Sequence, residues 1–303
     1  MYIIPYYNFI IAYFQDSTKY LGKSNDQILR ENIINKSDNR IVISAQYLNL
    51  LKEYIEKNCE HLKPFLDIFT GWIDQNKLNN KIYNITSSNS KTICEEFKHL
   101  YNSISKQPYI SIAEESDDCV KNRNLKIAIL KESVKPNKNW LLINIAAFHK
   151  FNIEDYHFQD KSEVKDFLEE IFDIQSNISS VTIFDAFVNI TKHDMFEYFV
   201  LRSIPFTYYS RRQFKDNGAE DNEKHRGILD ALNNNLVNVT FKISSRVKRT
   251  HKRLIIFGDF IIRVDTDFSL LEPGSGDWEF IIKYDKNDIA RNLSRSKEYK
   301  EFK

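Results

Sequence analysis

Between Ala45 and Gln75 the apolar residues Leu48, Leu51, Ile55, Leu62, Phe65, Leu66 and Phe69 recur three and four apart, the period of helices that bury one face. Pro64 falls inside that run and predicts the start of a second helix, because a nitrogen without a hydrogen costs nothing in a first turn. The stretch SKTICEEFKHLYNSI repeats the helical period. KIYNIT, YISIAEE and LKIAIL instead alternate β-branched and polar positions, as short strands do. The opening MYIIPYYNFIIAYFQDS reads as a buried strand and helix. It lacks the basic leader and small-residue cleavage site of a signal peptide.

After a polar segment at Lys131–Asn139 the rhythm becomes regular. NWLLINIAAFH reads as a strand, SEVKDFLEEIFDI as a helix, SSVTIFDAFVN as a strand and HDMFEYFVLRS as a helix. IPFTYYS, EKHRGILDALNNN and NVTFKIS continue as strand, helix and strand. Strands joined through helices of this length imply crossovers and parallel pairing. HKRLIIFG and FIIRVD then predict a hairpin, WEFIIKYD a further strand, and KNDIARNLSRSKEYKEF a closing helix. The pattern predicts an α/β chain of two domains: an N-terminal α/β domain over 1–138 and a second α/β domain over 139–303 with a mixed, mainly parallel sheet.

Composition narrows this little. The 303 residues suffice for two cores. With 43 Lys and Arg against 42 Asp and Glu, overall charge selects neither nucleic acid nor membrane, and only local clusters can carry an electrostatic argument. No apolar run approaches the roughly 20 residues of a bilayer-spanning helix, so no membrane partner is expected. Cys59, Cys94 and Cys119 are odd in number and widely spaced, which suggests neither a zinc site nor a disulfide framework and favours a reducing cytoplasm.

The chemistry concentrates late in the chain. His251, Lys252 and Arg253 precede the strand LIIF, a Gly258-Asp259 turn and a second strand; TDFS follows at Thr266–Ser269, and Glu279 opens another strand. Over roughly residues 140–303 this order resembles the phospholipase D superfamily, whose half-site reads His-x-Lys, strand, turn, strand, Asn-Phe-Ser and a later Glu. The resemblance implies a phospholipase D-like fold for the second domain, with His251 as nucleophile toward phosphorus, Arg253 as the cation on the phosphoryl oxygens and Glu279 as the later acid. An imidazole is nucleophilic near neutrality, and cations stabilise an oxygen-rich transition state. No cofactor or metal is implied.

The departures shift the expected function. Arg253 stands for lysine, a larger and permanently charged group, and Asp267 stands for the phosphate-binding asparagine. One half-site is present, so a complete hydrolytic centre would need a homodimer placing two His251 together. The resemblance therefore implies a degenerate domain that binds nucleic-acid phosphates, within an antiviral defence or mobile-element system and among protein partners from the same operon. The alternatives are a dimeric, metal-independent nuclease or phosphodiesterase using His251, and a non-catalytic protein-interaction scaffold.

Two basic runs fit a phosphate backbone. Arg246, Lys248, Arg249 and Lys252 flank His251, and Arg211, Arg212 and Lys215 follow the strand ending YYS. Ligands of open α/β sheets sit at carboxyl ends of strands, although lysine and arginine also guard exposed sheet edges. Asp185, after its own strand, could orient the His251 imidazole or simply cap a turn. At the other end of the chain IPYYNFIIAYF resembles the opening of PIN-type nucleases, with Tyr6 where those carry a metal-binding aspartate. Glu95, Glu96, Glu114, Glu115, Asp117 and Asp118 are the acids such a site would draw upon.

Overall fold

The structure, a computed structural model, describes residues 1–16, 22–77, 80–121, 125–154, 157–175, 177–185, 194–244, 253–265, 268 and 278–302. The chain divides into two compact units, Met1–Phe148 and His149–Lys303.

The first unit is built on the strands β1 (Tyr2–Pro5), β2 (Arg40–Ile43), β3 (Ile82–Asn84), β4 (Tyr109–Ala113) and β5 (Ile127–Ile129). They pair in the order β3-β2-β1-β4-β5, every pair parallel. Ile3, Ile4, Ile41, Val42, Ile43 and Ile112 are fully buried, as strands covered on both faces require. The crossovers are α1 (Tyr7–Asp16), α2 (Asn25–Asn35), α3 (Ala45–Asn58), α4 (Lys63–Lys77) and α5 (Ile93–Ser103), with the short α6 (Asp118–Lys121) after β4. Their starts follow local rules: Ser24 with Gln27 and Thr92 with Glu95 form reciprocal capping boxes, and Ser44 caps α3.

One expected strand is a helix. NWLLINIAAF forms α7 (Lys138–Phe148), capped by the Asn137 side chain at Trp140 N–H. The run is apolar on all sides, so it carries no period, and it is helical because it is buried on nearly all sides. Asn39, fully buried, donates to Ile33 O and Ala146 O and fastens α7 to the end of α2. The helix thus belongs with the first unit, and the expected boundary near 138 falls at its first residue.

The second unit holds β6 (Lys150–Glu154), α8 (Lys161–Ile174), β7 (Val181–Phe184), α9 (Glu197–Leu201), β8 (Phe206–Ser210), α10 (Asn222–Asn235), β9 (Val239–Ser244), β10 (Arg253–Phe257), β11 (Phe260–Val264), β12 (Glu279–Tyr284), α11 (Lys286–Ser294) and β13 (Tyr299–Glu301). The sheet order is β13-β9-β8-β7-β10-β11-β12-β6. The α/β class and the mixed sheet hold. The parallel share in this unit is smaller than expected: β7, β8 and β9 run parallel, and the other joins are antiparallel. Helical crossovers impose parallel pairing only where they occur, and the two-residue turn at Gly258-Asp259 reverses the chain outright. The closing helix also ends early, and Tyr299–Glu301 returns as a strand beside β9.

Phe172, Phe199 and Phe257 pack against one face of this sheet with ring centroids 4.4–5.9 Å apart. Phe184, Tyr209, Leu254, Ile256, Ile261 and Ile289 cluster together, with Tyr299 against them. Two cores on one sheet hold its central strands rigidly in register.

Candidate functional site

Antiparallel pairing of β10 with β7 sets Leu254 opposite Phe184, which brings Arg253 beside Asp185 at the strand ends. Arg253 Nε lies 3.4 Å from Asp185 Oδ1, and Asp185 Oδ2 accepts the Tyr208 hydroxyl at 2.9 Å. Tyr208 sits one strand over in β8, wholly buried; burial and the neighbouring carboxylate push its phenol well above the ordinary range, so it stays a donor. The Asp185 backbone N–H continues the ladder to Tyr209 O at 2.9 Å. Asp185, itself buried, therefore holds an arginine and a tyrosine. His251, the group it was expected to orient, lies outside the described residues, as do Arg246, Lys248, Arg249, Lys252 and Asp267.

Arg211, Arg212 and Lys215 leave the carboxyl end of β8, adjoining Asp185 through the parallel β7–β8 pair. Their loop is shaped by backbone bonds from Lys215 N–H to Ala219 O and from Asp221 N–H to Gln213 O, and by a bridge between Phe214 and Glu220. His225, fully buried, accepts the Gln213 N–H on Nε2 at 2.8 Å; burial pushes its pKa down, which keeps the accepting nitrogen unprotonated. The cations are partly compensated: Arg212 Nε lies 3.5 Å from Glu220 and Lys215 Nζ 3.8 Å from Glu223. These glutamates follow the arginines within a dozen residues, yet no period or motif marks them as partners.

Glu279 does not join this group. Arg253 pairs with Val264 and Val264 with Phe280, and residues directly opposite share a face, so Glu279 points to the other side of the sheet. Its backbone N–H is held by Asp265 Oδ1 at 2.8 Å. On its own face, Asp288 of α11 collects Arg263 at 3.0 Å, Lys283 at 3.4 Å and Arg291 at 3.8 Å. Burial pushes the Asp288 carboxyl up, but these cations outweigh it and hold the group below its usual range.

In the first unit a pocket of about 480 Å³ opens beyond the carboxyl ends of β1 and β4, where the strand order changes direction. Asp16, Arg30 and Glu114 in its lining form an ion triad with no counterpart in the sequence pattern. Arg30, from α2, donates Nε to Asp16 at 2.6 Å and Nη1 to Glu114 at 2.8 and 2.9 Å. Burial pushes the Glu114 carboxyl up, and Arg30 pulls it only partly back. Asp117 Oδ2 accepts the Tyr6 hydroxyl at 2.9 Å, and Glu115 pairs with Lys131 at 2.9 Å. Glu96 lies apart, accepting the Ser44 hydroxyl at 2.5 Å and that of Ser88. Glu95 closes its own capping box. Among the described residues no three acid, histidine or cysteine side chains converge as a metal would need.

The expectation that the cysteines form no disulfide is overturned. Cys94 at the start of α5 and Cys119 in α6 are disulfide-bonded, with Cα atoms 6.1 Å apart, and Cys59 remains a thiol. Twenty-five residues and a strand separate the two in sequence, so spacing could not announce the pair. No helix among the described residues is long and apolar enough to cross a membrane.

No known family's sequence pattern matches the chain, and no curated protein does. Among solved structures it is similar to the phosphatidylserine synthase of Haemophilus influenzae Rd KW20 at 9% identity and a TM-score of 0.36; the match covers 50% of this chain and 40% of that one. It is similar to Nuc of Salmonella typhimurium, a phospholipase D family member, at 10% identity and a TM-score of 0.32, covering 51% of this chain and 97% of that one. It is also similar to NucT of Helicobacter pylori at 14% identity and a TM-score of 0.32, covering 50% and 99%. Likeness at this level fixes neither activity nor substrate.

Proposed function

We propose that the second unit binds nucleic-acid phosphates, at the carboxyl ends of β7 and β8 through Arg253, Arg211, Arg212 and Lys215, and that Arg246, Lys248, Arg249 and Lys252, outside the described residues, add phosphate contacts. One observation carries the reading: Arg253 is delivered by an antiparallel strand to the end of the sheet from which Arg211 and Arg212 emerge. Two segments distant in sequence supply cations to one strand end, where ligands of open α/β sheets bind. Asp185 neutralises one charge, and Arg211, Arg212 and Lys215 in the loop after β8 supply further cations. The first unit fits a PIN-like scaffold whose acids are engaged by Arg30, Lys131 and Tyr6 in place of a metal. A cytoplasmic role in antiviral defence or a mobile element, with operon partners, belongs to the same reading.

The test is binding of the full chain to a fluorescent single-stranded oligonucleotide, followed by anisotropy across a salt series. Arg211→Ala combined with Arg212→Ala should weaken binding about tenfold, and the slope of log affinity against log salt should fall by one to two. Unchanged affinity and slope would remove the proposal. Cleavage that survives EDTA and disappears in His251→Ala would turn it into the nuclease reading. Co-purification with a neighbour-encoded protein without oligonucleotide binding would turn it into a scaffold.

A further inference from the structure

We infer that β6 is a self-association edge, on which a second copy of this chain adds its own β6 in antiparallel register about Asn152. β6 ends the strand order of its sheet. Tyr284 N–H donates to His149 O at 2.9 Å, and alternate residues of an antiparallel strand point their backbone groups to opposite sides. His149, Phe151 and Ile153 therefore bond toward β12, and Lys150, Asn152 and Glu154 direct amides and carbonyls outward. Of these outward groups the Glu154 N–H is held by His157 Nδ1 at 3.1 Å. An edge of this kind is a template for another strand.

The sequence of the edge selects the occupant. β6 reads Lys-Phe-Asn-Ile-Glu, so two antiparallel copies set Lys150 against Glu154, Phe151 against Ile153 and Asn152 against itself. Parallel addition would oppose lysine to lysine. Within the unit these charges gain nothing from their cross-strand neighbours, because Lys150 faces Lys283 and Glu154 faces Glu279. Like charges directly opposite are unfavourable, and a second copy gives each an opposite partner. Lys283 already has Asp288, which leaves Lys150 the more exposed of the pair. A two-fold axis through Asn152 generates every contact twice, as a closed dimer requires.

The arrangement bears on catalysis independently of whether the strand ends bind phosphate. From β10 to its copy the joined sheet runs through β11, β12, β6 and their mates, seven steps of about 4.8 Å, so the two Arg253 lie roughly 34 Å apart. A dimer through β6 sets the two copies' β7 and β8 carboxyl ends toward opposite ends of the joined sheet and does not bring two Arg253 together.

Sedimentation of the full chain should reveal a concentration-dependent dimer. Lys150→Glu alone and Glu154→Lys alone should each be monomeric, and an equal mixture of the two variants should dimerise again, since only the mixed pair is complementary. Both positions lie on the polar face of β6, and cooperative melting transitions matching that of the wild type at concentrations where it is monomeric would show that the variants fold. Asn152→Cys should form a disulfide-linked dimer on mild oxidation, because directly paired residues sit about 5.5 Å apart at Cα. A wild-type chain that stays monomeric, or a dimer indifferent to both charge variants, overturns the inference. Oligonucleotide affinity per protomer should persist in the monomeric variants, so failure of this inference and failure of the phosphate reading give different results.

Discussion

Each unit ties an arginine to carboxylates at the carboxyl end of parallel strands, and the two pairs differ in what they leave over. Arg30 is gripped by both Asp16 and Glu114, its side chain 6% exposed, and its charge is more than answered. Arg253 meets Asp185, whose second oxygen takes the Tyr208 hydroxyl, and its side chain is 18% exposed beside a loop of further cations. A saturated buried arginine is a structural cation. Arg253, less deeply buried than Arg30 and placed on the strand end beside Arg211 and Arg212, is the arginine that the proposed function directs at an anion. The same residue type, on a helix in one unit and at the start of a strand in the other, serves support in the first and, in the proposed function, recognition in the second.

The largest test of this contrast is Arg30→Met. It strands two buried carboxylates and should cost about 4 kcal/mol, read from the denaturant midpoint of the first unit's transition. Burial already holds Glu114 above its ordinary range with Arg30 present, and removal of the guanidinium raises it further. A carboxyl whose folded pKa exceeds its unfolded one contributes stability below the unfolded value and loses it as pH rises through the folded value. The deficit of the variant should therefore narrow as pH falls toward about 4.3. Oligonucleotide binding should be unaffected wherever the second unit is folded.

Gly258→Ala should come next, at about 3 kcal/mol in the second unit alone. Gly258 has φ of +51°, and an added Cβ would lie 2.4 Å from Gln175 Cγ. This turn sets Phe257 opposite Phe260 and fixes the β10–β11 register, and the same β10 carries Arg253 to Asp185 through its pairing with β7. Loss of stability should be accompanied by loss of affinity, measured on the same samples.

How far the sequence revealed this arrangement depended on periodicity. The strands now seen as β1, β4, β7, β8, β9 and the β10–β11 hairpin announce themselves by β-branched runs, and α3, α4, α5, α8 and α10 by their apolar stripes. α7 was invisible as a helix because Trp140–Phe148 offers no polar face to mark the turn. β6 was missed because five residues with two charges and an asparagine resemble a loop. At the site, Arg253 could be named from the family resemblance and Asp185 and Arg211 from strand ends, but the Arg253–Asp185 pairing could not, since it follows from the β10–β7 register. Arg30 and Asp16 carried no signal at all: their partners lie 84 and 14 residues from Arg30, across turns of chain that only the fold closes.

Asp185→Asn sharpens the comparison from the other side. The asparagine can still accept the Tyr208 hydroxyl, but the compensating charge beside Arg253 is gone. Stability should fall by about 2 kcal/mol, because a partly buried cation loses a buried carboxylate partner. Affinity for the oligonucleotide should rise severalfold, with a steeper salt dependence, because one more cation faces phosphate. A fall in affinity would mean that Asp185 orders the surface and does not merely quench it, and the contrast with Arg30 would then weaken.

Tyr208→Phe makes the smallest change and separates the two roles of Asp185. It removes one hydrogen bond of 2.9 Å to a buried carboxylate and leaves the ring packed near Phe241. The expected cost is about 1 kcal/mol by denaturant melting. The carboxylate keeps its charge and gains freedom to turn both oxygens toward Arg253, so oligonucleotide affinity should hold steady or drop by less than about threefold, a change worth under 1 kcal/mol. Opposite signs for Asp185→Asn and Tyr208→Phe in the same anisotropy assay would establish that Asp185 governs the available charge of Arg253. Equal signs would place the tyrosine, and not the carboxylate, in control of the strand end.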